Sequence, residues 1–232
     1  RPMHAEVVGI ALATDPGHVW YVGTGHQTLD VGPQLPLKAV LELLGPLLAD
    51  VGVPKTVHNA KLLGQVLHRH GVTLGGVAFD VMLASYLVDA DKHGHTLAEI
   101  ALDRLDHKAI DLKDVVGQGR KRVPIEAAPR DRVRDMACEQ VQIPLAVRAD
   151  LQGALDELGV TGLLTDLELP LTEVLADMEL HGVAVDAPLL KTFSAEFGEE
   201  ARSQEAKAHE ILGRPFNLGS PKQVSEVLFG DL

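Results

Sequence analysis

The sequence predicts an α/β domain followed by a mainly helical segment, and three observations support this. Up to about residue 160, short β-branched runs alternate with segments whose apolar residues recur at helical spacing. Beyond that point the spacing is helical almost throughout. The 46% hydrophobic content is enough for a folded core and excludes a disordered chain. We therefore predict a first domain over residues 1–160 and a second over residues 161–232.

The first domain is predicted to contain alternating strands and helices. The strands are expected at residues 5–13, 18–22, 56–58 and 77–79. The helices are expected at residues 37–49, 61–69, 81–88, 96–105 and 130–158. Asp15-Pro16-Gly17 has the composition of a tight turn, so the first two strands should be antiparallel. Residues 106–128 are polar and partly basic, and they are predicted to form a loop.

Capping residues and a proline mark several helix positions. Asp80 stands where a helix cap is expected, directly before residues 81–88. The inward face of that helix is predicted to be Met82, Leu83, Tyr86 and Leu87. Thr96 and Glu99 have the spacing of a capping box, and Pro144 should kink the last helix of the domain. In the second domain, helices are predicted at residues 163–180, 188–212 and 221–229.

Charge and composition restrict the function and the cellular compartment. The formal net charge of −12 argues against nucleic-acid binding by electrostatics alone. The single cysteine, Cys138, excludes an internal disulfide framework and suits a reducing compartment. No apolar run approaches the ~20 residues of a membrane span, so we expect a soluble cytoplasmic protein with no membrane partner. Because the chain begins at Arg1 without a methionine and stops soon after an apolar helix pattern, we expect an internal piece of a longer protein.

A helix start near the end of the chain has features that suit a phosphate contact. Residues 216–224 read Phe-Asn-Leu-Gly-Ser-Pro-Lys-Gln-Val. Ser220 is placed to cap the helix, and Gln223 to complete a capping box. The exposed amides of such a helix start, with Lys222 and the side chain of Asn217 nearby, can hold a phosphate. The local pattern alone fits a well-capped surface helix equally well.

Four blocks of sequence together resemble the family A DNA polymerases of the bacterial DNA polymerase I type. Residues 168–186 include Glu168-Leu169-Pro170-Leu171, Met178-Glu179 and Gly182-Val183, and they resemble the start of the polymerase domain of that family. Residues 216–229 follow at the family's spacing and resemble the tip of its thumb. Upstream, residues 58–61 (His-Asn-Ala-Lys) and 79–87 (Phe-Asp-Val-Met-Leu-Ala-Ser-Tyr-Leu) resemble its proofreading domain. The resemblance covers essentially the whole chain.

The resemblance implies a fold, an activity and a set of partners. Residues 1–160 would form a ribonuclease-H-like exonuclease fold, a mixed sheet with flanking helices whose first strand is truncated, and residues 161–232 would include thumb helices. The parent would be a DNA-directed DNA polymerase, a nucleotidyltransferase of DNA replication and repair that uses Mg²⁺, primer-template DNA and deoxynucleoside triphosphates. It is expected to act as a monomer at the bacterial nucleoid.

The resemblance also implies which residues of this piece have a role. The DNA-binding residues would be Asn217, Ser220, Lys222 and Gln223. No cofactor is expected in this piece. Because the palm carboxylates of the family would lie beyond Leu232, the piece alone is expected to be inactive as a polymerase.

The exonuclease-like half differs from the family at its catalytic positions. The exonuclease of the family holds two metal ions with acidic side chains. The first pair of these side chains comes from an Asp-x-Glu strand, which would lie upstream of Arg1. The second motif, Asn-x-Lys-Tyr-Asp in proofreading members, ends here at Leu63. The third, Tyr-x-x-x-Asp, has Met136 and Gln140 in place of tyrosine and aspartate. Glu139 is one helix position away from Gln140, about 100° around the axis, and should not replace it.

We therefore predict no catalytic residue, no metal ligand and no proofreading activity in this piece, and a structural role for the exonuclease-like domain. For Asp80, the helix cap is favoured over a metal ligand. Two alternatives remain open. One is an active 3′–5′ exonuclease, and the other is a non-catalytic nucleic-acid-binding module on the same fold.

Histidines and basic residues give weaker signals. His68 and His70, like His93 and His95, have a spacing that points the two rings apart on a helix, and no zinc-site spacing accompanies them. Residues 120–122 (Arg-Lys-Arg) offer a contact for a DNA backbone, together with nearby arginines at 130, 132 and 134. Because Asp131 and Asp135 interleave this basic stretch, a solvated face of mixed charge is favoured for all of it.

Overall fold

The computed structural model describes residues 4–28 and 32–231, and it divides the chain into two compact units. The first unit is Arg1–His181 and the second is Gly182–Leu232. The strands of the first unit are β1 (Gly9–Asp15), β2 (His18–Gly23), β3 (Lys55–Val57) and β4 (Val77–Asp80). Its first helices are α1 (Leu37–Ala49), α2 (Ala60–Arg69), α3 (Val81–Val88), α4 (Leu97–Leu105), α5 (Leu112–Val116) and α6 (Arg130–Leu158).

The described strands form two separate pairs. β1 and β2 are antiparallel, as predicted, and Asp15 Oδ1 accepts a hydrogen bond of 2.8 Å from Gly17 N in the turn between them. β3 and β4 are parallel, as expected for strands joined through a helix. The expected mixed sheet is therefore divided into two sheets of two strands. The long helix α6 contacts β1, β2 and β3, so the two sheets are joined through this helix rather than by backbone hydrogen bonds.

Helix α6 forms the centre of the main core. Val147, Leu151 and Leu155 of this helix are fully buried. They belong to one apolar cluster with residues of β4, α3 and α4, among them Phe79, Val81, Ala84, Ile100 and Ala101. Pro144 is buried inside α6 and does not end it, because the helix extends from Arg130 to Leu158. This packing determines how α3 is oriented.

Two predictions for this unit were wrong in detail. The fully buried residues of α3 are Val81, Ala84 and Ser85; the predicted Leu83 and Leu87 do pack against the core, whereas Tyr86 is 48% exposed. The small side chains of Ala84 and Ser85 allow close contact with α6, which is why the helix turns this face inward. The segment 106–128 is not one loop, because it contains α5 and two short 3₁₀ turns. The helical structure of this segment is stabilised by Val115 and Val116, which are buried in a second apolar cluster.

The first unit ends in helical structure that packs on its earlier part. The remaining helices are α7 (Thr161–Leu163), a π-helical segment (Leu164–Glu168) and α8 (Leu169–His181). Helix α8 contacts α2 and β4, so by compactness residues 161–181 belong to the first unit. The predicted boundary near residue 160 separates the exonuclease-like domain from the polymerase domain of the family, whereas the two compact units divide after His181. The predicted boundary stays a prediction.

The second unit is helical, in agreement with the sequence. It contains α9 (Ala187–Leu212) and α10 (Pro221–Glu226), followed by a π-helical turn (Val227–Asp231). Asp186 caps α9 by accepting a hydrogen bond of 2.9 Å from Leu189 N. Gly213, with φ +71°, ends the same helix in the left-handed conformation that glycine adopts readily. Within the described residues, no helix is both long and apolar enough to cross a bilayer.

Candidate functional site

Asp80 links the starts of two helices near the second exonuclease-like motif. It is fully buried, and Oδ2 accepts a hydrogen bond of 2.7 Å from Ala60 N. Oδ1 accepts from Asn59 N at 3.1 Å and from Met82 N at 2.9 Å. The predicted helix cap is thus confirmed for α3, and the same carboxylate also holds the start of α2. Both of its oxygens are engaged by backbone N–H groups.

Helix α2 contains the residues that resemble the second exonuclease motif. Asn59 begins this helix in a left-handed conformation (φ 64°, ψ 66°), and its side-chain oxygen accepts from Leu62 N at 3.1 Å. Leu63, which the resemblance places at the family's metal-binding aspartate, is 36% exposed on the surface of the helix. A leucine side chain has no atom that can ligate a metal ion.

The polar residues of α2 are directed to α8. Lys61 Nζ lies 2.7 Å from Glu179 Oε1, and Gln65 Nε2 donates to Glu179 Oε2 at 2.6 Å. Gln65 is almost completely buried, whereas Glu179 is exposed to solvent at the edge of this contact. The hydrogen bond from Lys61, and then that from Gln65, hold the pKa of Glu179 below its ordinary value of 4.5. Lys61 and Gln65 lie 118 and 114 positions before Glu179 in the sequence, so no local sequence pattern predicts these bonds.

Met136 and Gln140, which the resemblance places at the tyrosine and aspartate of the third motif, lie in different environments. Met136 is 7% exposed and packs in the second apolar cluster, whose buried members are Val115, Val116, Ala128, Val133 and Met136. Gln140 is exposed, one turn further along α6. Met136 is therefore a core residue, a role that its place in the motif does not reveal.

Glu139, the carboxylate beside Gln140, is engaged elsewhere. One of its oxygens lies 3.0 Å from His107 Nε2, and the other accepts from Ile110 N at 2.6 Å. These bonds attach the segment before α5 to α6. The side chain thus has a structural role in joining two parts of the first unit.

Tyr21 and His26 form a polar pair at the border of the second cluster, which the sequence did not indicate. The Tyr21 hydroxyl lies 2.6 Å from His26 Nε2. Burial raises the pKa of Tyr21 to about 12, so the phenol stays protonated and donates this bond. Burial, and then the charge of Arg130, lower the pKa of His26, which keeps the imidazole neutral as the acceptor. The pair is a buried structural hydrogen bond.

These side chains do not fit the two metal ions of an exonuclease. Hard divalent cations require carboxylate oxygens, and the positions in question hold Leu63 and the neutral amide of Gln140. Asp80, the buried carboxylate that holds the start of α2, already accepts three backbone hydrogen bonds. In the part of the chain that the structure describes, no three His, Cys, Asp or Glu side chains converge as a metal site.

The polar residues before α10 form a compact network of their own. Ser220 caps the helix by accepting from Gln223 N, as predicted. Gln223 does not complete a capping box, because its Oε1 instead accepts from Asn217 N at 2.9 Å. Asn217 Oδ1 accepts from Gly219 N at 2.9 Å. Lys222 is exposed, and its ammonium lies 3.9 Å from Glu226.

In this network the side-chain oxygens are already used as hydrogen-bond acceptors, so the groups that can still bond to an external partner are N–H donors. The side-chain oxygens of Asn217, Ser220 and Gln223 all accept backbone hydrogen bonds. Within residues 4–28 and 32–231, the structure records no partner for the side-chain nitrogens of Asn217 and Gln223. With the ammonium of Lys222, they are donors that a phosphate oxygen can accept from.

Comparisons with known proteins agree with the fold and with the motifs. Residues 2–135 match the family model described as DNA polymerase I, ribonuclease H-like domain. DNA polymerase I of Pseudomonas aeruginosa is 36% identical over 231 residues, which cover 98% of this chain and 25% of that protein. DNA polymerase I of Chloroflexus aurantiacus is 32% identical over 233 residues, which cover 100% of this chain and 24% of that protein.

A solved structure shows the same similarity in three dimensions. It is the polymerase domain of Pol1 from M. smegmatis in complex with DNA primer-template and dNTP, with a TM-score of 0.74 and 30% identity. The match covers 96% of this chain and 34% of that one, and the chain spans about a quarter of the curated relatives that it matches. These findings confirm the predicted ribonuclease-H-like fold. The chain belongs to the DNA polymerase I family.

Proposed function

We propose that this chain is part of a DNA-directed DNA polymerase of replication and repair, in which the exonuclease-like domain is inactive and supports the polymerase domain. The observation that carries this proposal is that Leu63 and Gln140 stand where the resemblance to the family expects metal-binding carboxylates, in a domain with a well-packed core. The proposed substrates are primer-template DNA and deoxynucleoside triphosphates, with Mg²⁺ as the cofactor of the whole enzyme at the bacterial nucleoid.

The lack of proofreading follows from the chemistry of the reaction. Hydrolysis of a phosphodiester by two metal ions requires ligands that hold both ions beside the scissile bond. Neither Leu63 nor Gln140 supplies a negative charge, and both oxygens of Asp80 accept backbone hydrogen bonds. Met136, at the position of the tyrosine that orients water, is an apolar core residue. We therefore expect no 3′–5′ hydrolysis.

The scaffold role is supported by the contact between α2 and α8. Glu179 lies in the block that resembles the start of the polymerase domain, and it is held by Lys61 and Gln65 of the exonuclease-like motif. Residues that flank the degenerate metal position thus contribute to packing. A polar link with a buried partner such as Gln65 defines one relative arrangement of two helices.

DNA contact by the second unit is proposed for Asn217, Ser220, Lys222 and Gln223. The donors left by their internal network suit phosphate oxygens, which position a protein on DNA without reading sequence. The similar structure from M. smegmatis contains a DNA primer-template, which supports the same partner for this chain. We also propose the family boundary near residue 160 and a monomeric enzyme.

The first test uses the full-length parent with a 5′-labelled primer on a longer template and Mg²⁺. With nucleotides we expect extension of the primer, and without nucleotides no shortening of its 3′ end. A proofreading DNA polymerase I serves as the positive control for shortening. Steady 3′ shortening by the parent would refute the inactive domain, and no reaction of either kind would favour a non-catalytic nucleic-acid-binding module.

A second test concerns Glu179. Substitution Glu179→Gln removes the charge that Lys61 contacts, so amide hydrogen exchange in α8 should become several-fold faster. Glu173→Gln, on the same helix, makes the same change of charge at an exposed residue without a recorded partner among the described residues. Equal exchange in the two variants would contradict the scaffold role.

The same contact should depend on pH. Because the pKa of Glu179 is depressed in the folded protein, the stability that it contributes is present above pH 4.5. It is lost as the pH falls below 4.5 and through the lower folded value. Protection factors of α8 amides should fall over this range in the unsubstituted protein and stay level in Glu179→Gln.

A further inference from the structure

Three consecutive cations, which we call the basic turn, project from the first unit. The basic turn consists of Arg120, Lys121 and Arg122, which are all exposed. Arg120 and Lys121 lie on a 3₁₀ turn (Gly119–Lys121) that follows α5, and Arg122 comes directly after it in an extended conformation. Side chains on a 3₁₀ turn diverge by about 120° per residue, so Arg120 and Lys121 point in different directions.

The backbone beneath the basic turn is well defined. Gly117 (φ 77°) and Gly119 (φ 57°) adopt left-handed conformations that favour glycine, and a Cβ on Gly117 would come within 3.0 Å of Lys121 O. Val123 N donates to Val116 O at 2.9 Å and closes the segment. Since Val116 is buried in the same cluster as Met136, the turn is attached to a packed core.

The cations of the basic turn differ from other arginines and lysines of the first unit. Arg134 is paired with Asp131 and Asp135, and other pairs include Lys113–Asp111, Lys92–Asp103 and Arg104–Asp150. Within the described residues, no carboxylate is recorded within 4.0 Å of Arg120, Lys121 or Arg122. Between Asp114 and Glu126 the sequence contains no acidic residue. The expectation of a mixed-charge face thus holds for Arg134 but not for the basic turn.

Three adjacent cations without a carboxylate partner repel one another, although the chain as a whole is acidic. A bound polyanion would offset this repulsion. Duplex DNA presents one negative charge per about 1.7 Å of its axis, so adjacent exposed cations on one segment have several phosphates within reach. An anionic membrane is a poorer fit, because lipid-binding clusters have about 4–8 cations.

We propose that the basic turn binds the phosphate backbone of the DNA on which the parent polymerase acts. This inference rests on the proposed function, and it assigns to the inactive exonuclease-like domain a DNA-holding role in addition to support. The contact would be independent of sequence, because it involves only charge and phosphate oxygens. It adds a basic element to a chain whose net charge of −12 gives little attraction for DNA elsewhere.

The test compares two triple variants of the full-length parent in DNA-binding titrations. Arg120→Ala/Lys121→Ala/Arg122→Ala removes the basic turn. Lys38→Ala/Lys113→Ala/Arg134→Ala removes the same number of charges at cations that already face a carboxylate. Binding of a fluorescent primed duplex is measured by anisotropy at several NaCl concentrations, with unfolding midpoints as the check on folding.

The basic-turn variant should bind about tenfold more weakly per lost phosphate contact at 0.1 M salt, with a salt slope shallower by about 0.9 per contact. The control variant should keep the slope of the parent. If Arg120→Glu/Lys121→Glu/Arg122→Glu also binds like the parent, the proposal is overturned while the polymerase assignment stands. A parent that neither binds DNA nor extends a primer would overturn both.

Discussion

Replacement of Asp80 by alanine should lower the free energy of unfolding of the 232-residue chain by about 3–5 kcal/mol. The buried carboxylate accepts from the backbone N–H groups of Asn59, Ala60 and Met82. Without it, the starts of α2 and α3 lose their shared acceptor, and the N–H groups are left unpaired in the protein interior. Urea unfolding followed by circular dichroism measures the loss.

Two other substitutions make this result specific. Asp80→Asn keeps the shape, but it places an amide donor against backbone donors, so most of the loss should remain. Asp50→Ala removes a side chain whose Oδ1 accepts from Gly52 N at 2.8 Å in an exposed turn, and it should cost less than about 1 kcal/mol. If Asp80→Ala were as mild as Asp50→Ala, the carboxylate would not be the link between the two helices.

Replacement of Met136 by alanine should cost about 2–4 kcal/mol of unfolding free energy, because it leaves a cavity in the second apolar cluster. A loss of this size would show that Met136 is a core residue, because a residue with no role in packing could be replaced without loss of stability. Met136→Leu keeps most of the volume and should cost less than about 1.5 kcal/mol. The same urea titration measures both variants.

The companion position Gln140 provides the matched control. It lies one turn away on α6 but is exposed, so Gln140→Ala should change stability by no more than about 0.5 kcal/mol. Met136→Tyr, which reinstates the residue of proofreading relatives, should also destabilise the chain, by about 1–3 kcal/mol, because the larger ring must enter a filled cluster. A neutral Met136→Ala would show that the cluster tolerates a cavity there and would contradict the core role.

Both predictions concern residues of the exonuclease-like domain that we expect to stabilise its fold. Asp80 and Met136 stabilise the fold at the second and third exonuclease-like motifs. Met136, which the resemblance places in the third motif, is thus a residue of the apolar core. Lys61 and Gln65 of α2 also contact Glu179 of α8.

Local sequence patterns were sufficient for several elements of this fold. Helices 37–49, 81–88 and 130–158 have the bounds that apolar spacing and capping residues predict. The capping box of Thr96 and Glu99 is present, and so is the cap at Ser220. Each of these signals lies within one or two turns of chain, where hydrogen bonding and side-chain spacing act locally.

Tertiary structure decided the features that depend on distant partners. Sequence spacing placed Tyr86 inside, but contact with α6 selects the face of α3 with the smaller side chains. The capping box expected at Gln223 does not form for a local reason: Ser220 N donates to Asn217 O, and Gln223 Oε1 accepts from Asn217 N. The links from Glu179 to α2 join residues far apart in sequence, as does the burial of Met136 among α5 and β2 residues. Such contacts depend on which surfaces meet when the chain folds, and a pattern within one helix contains no information about its partner.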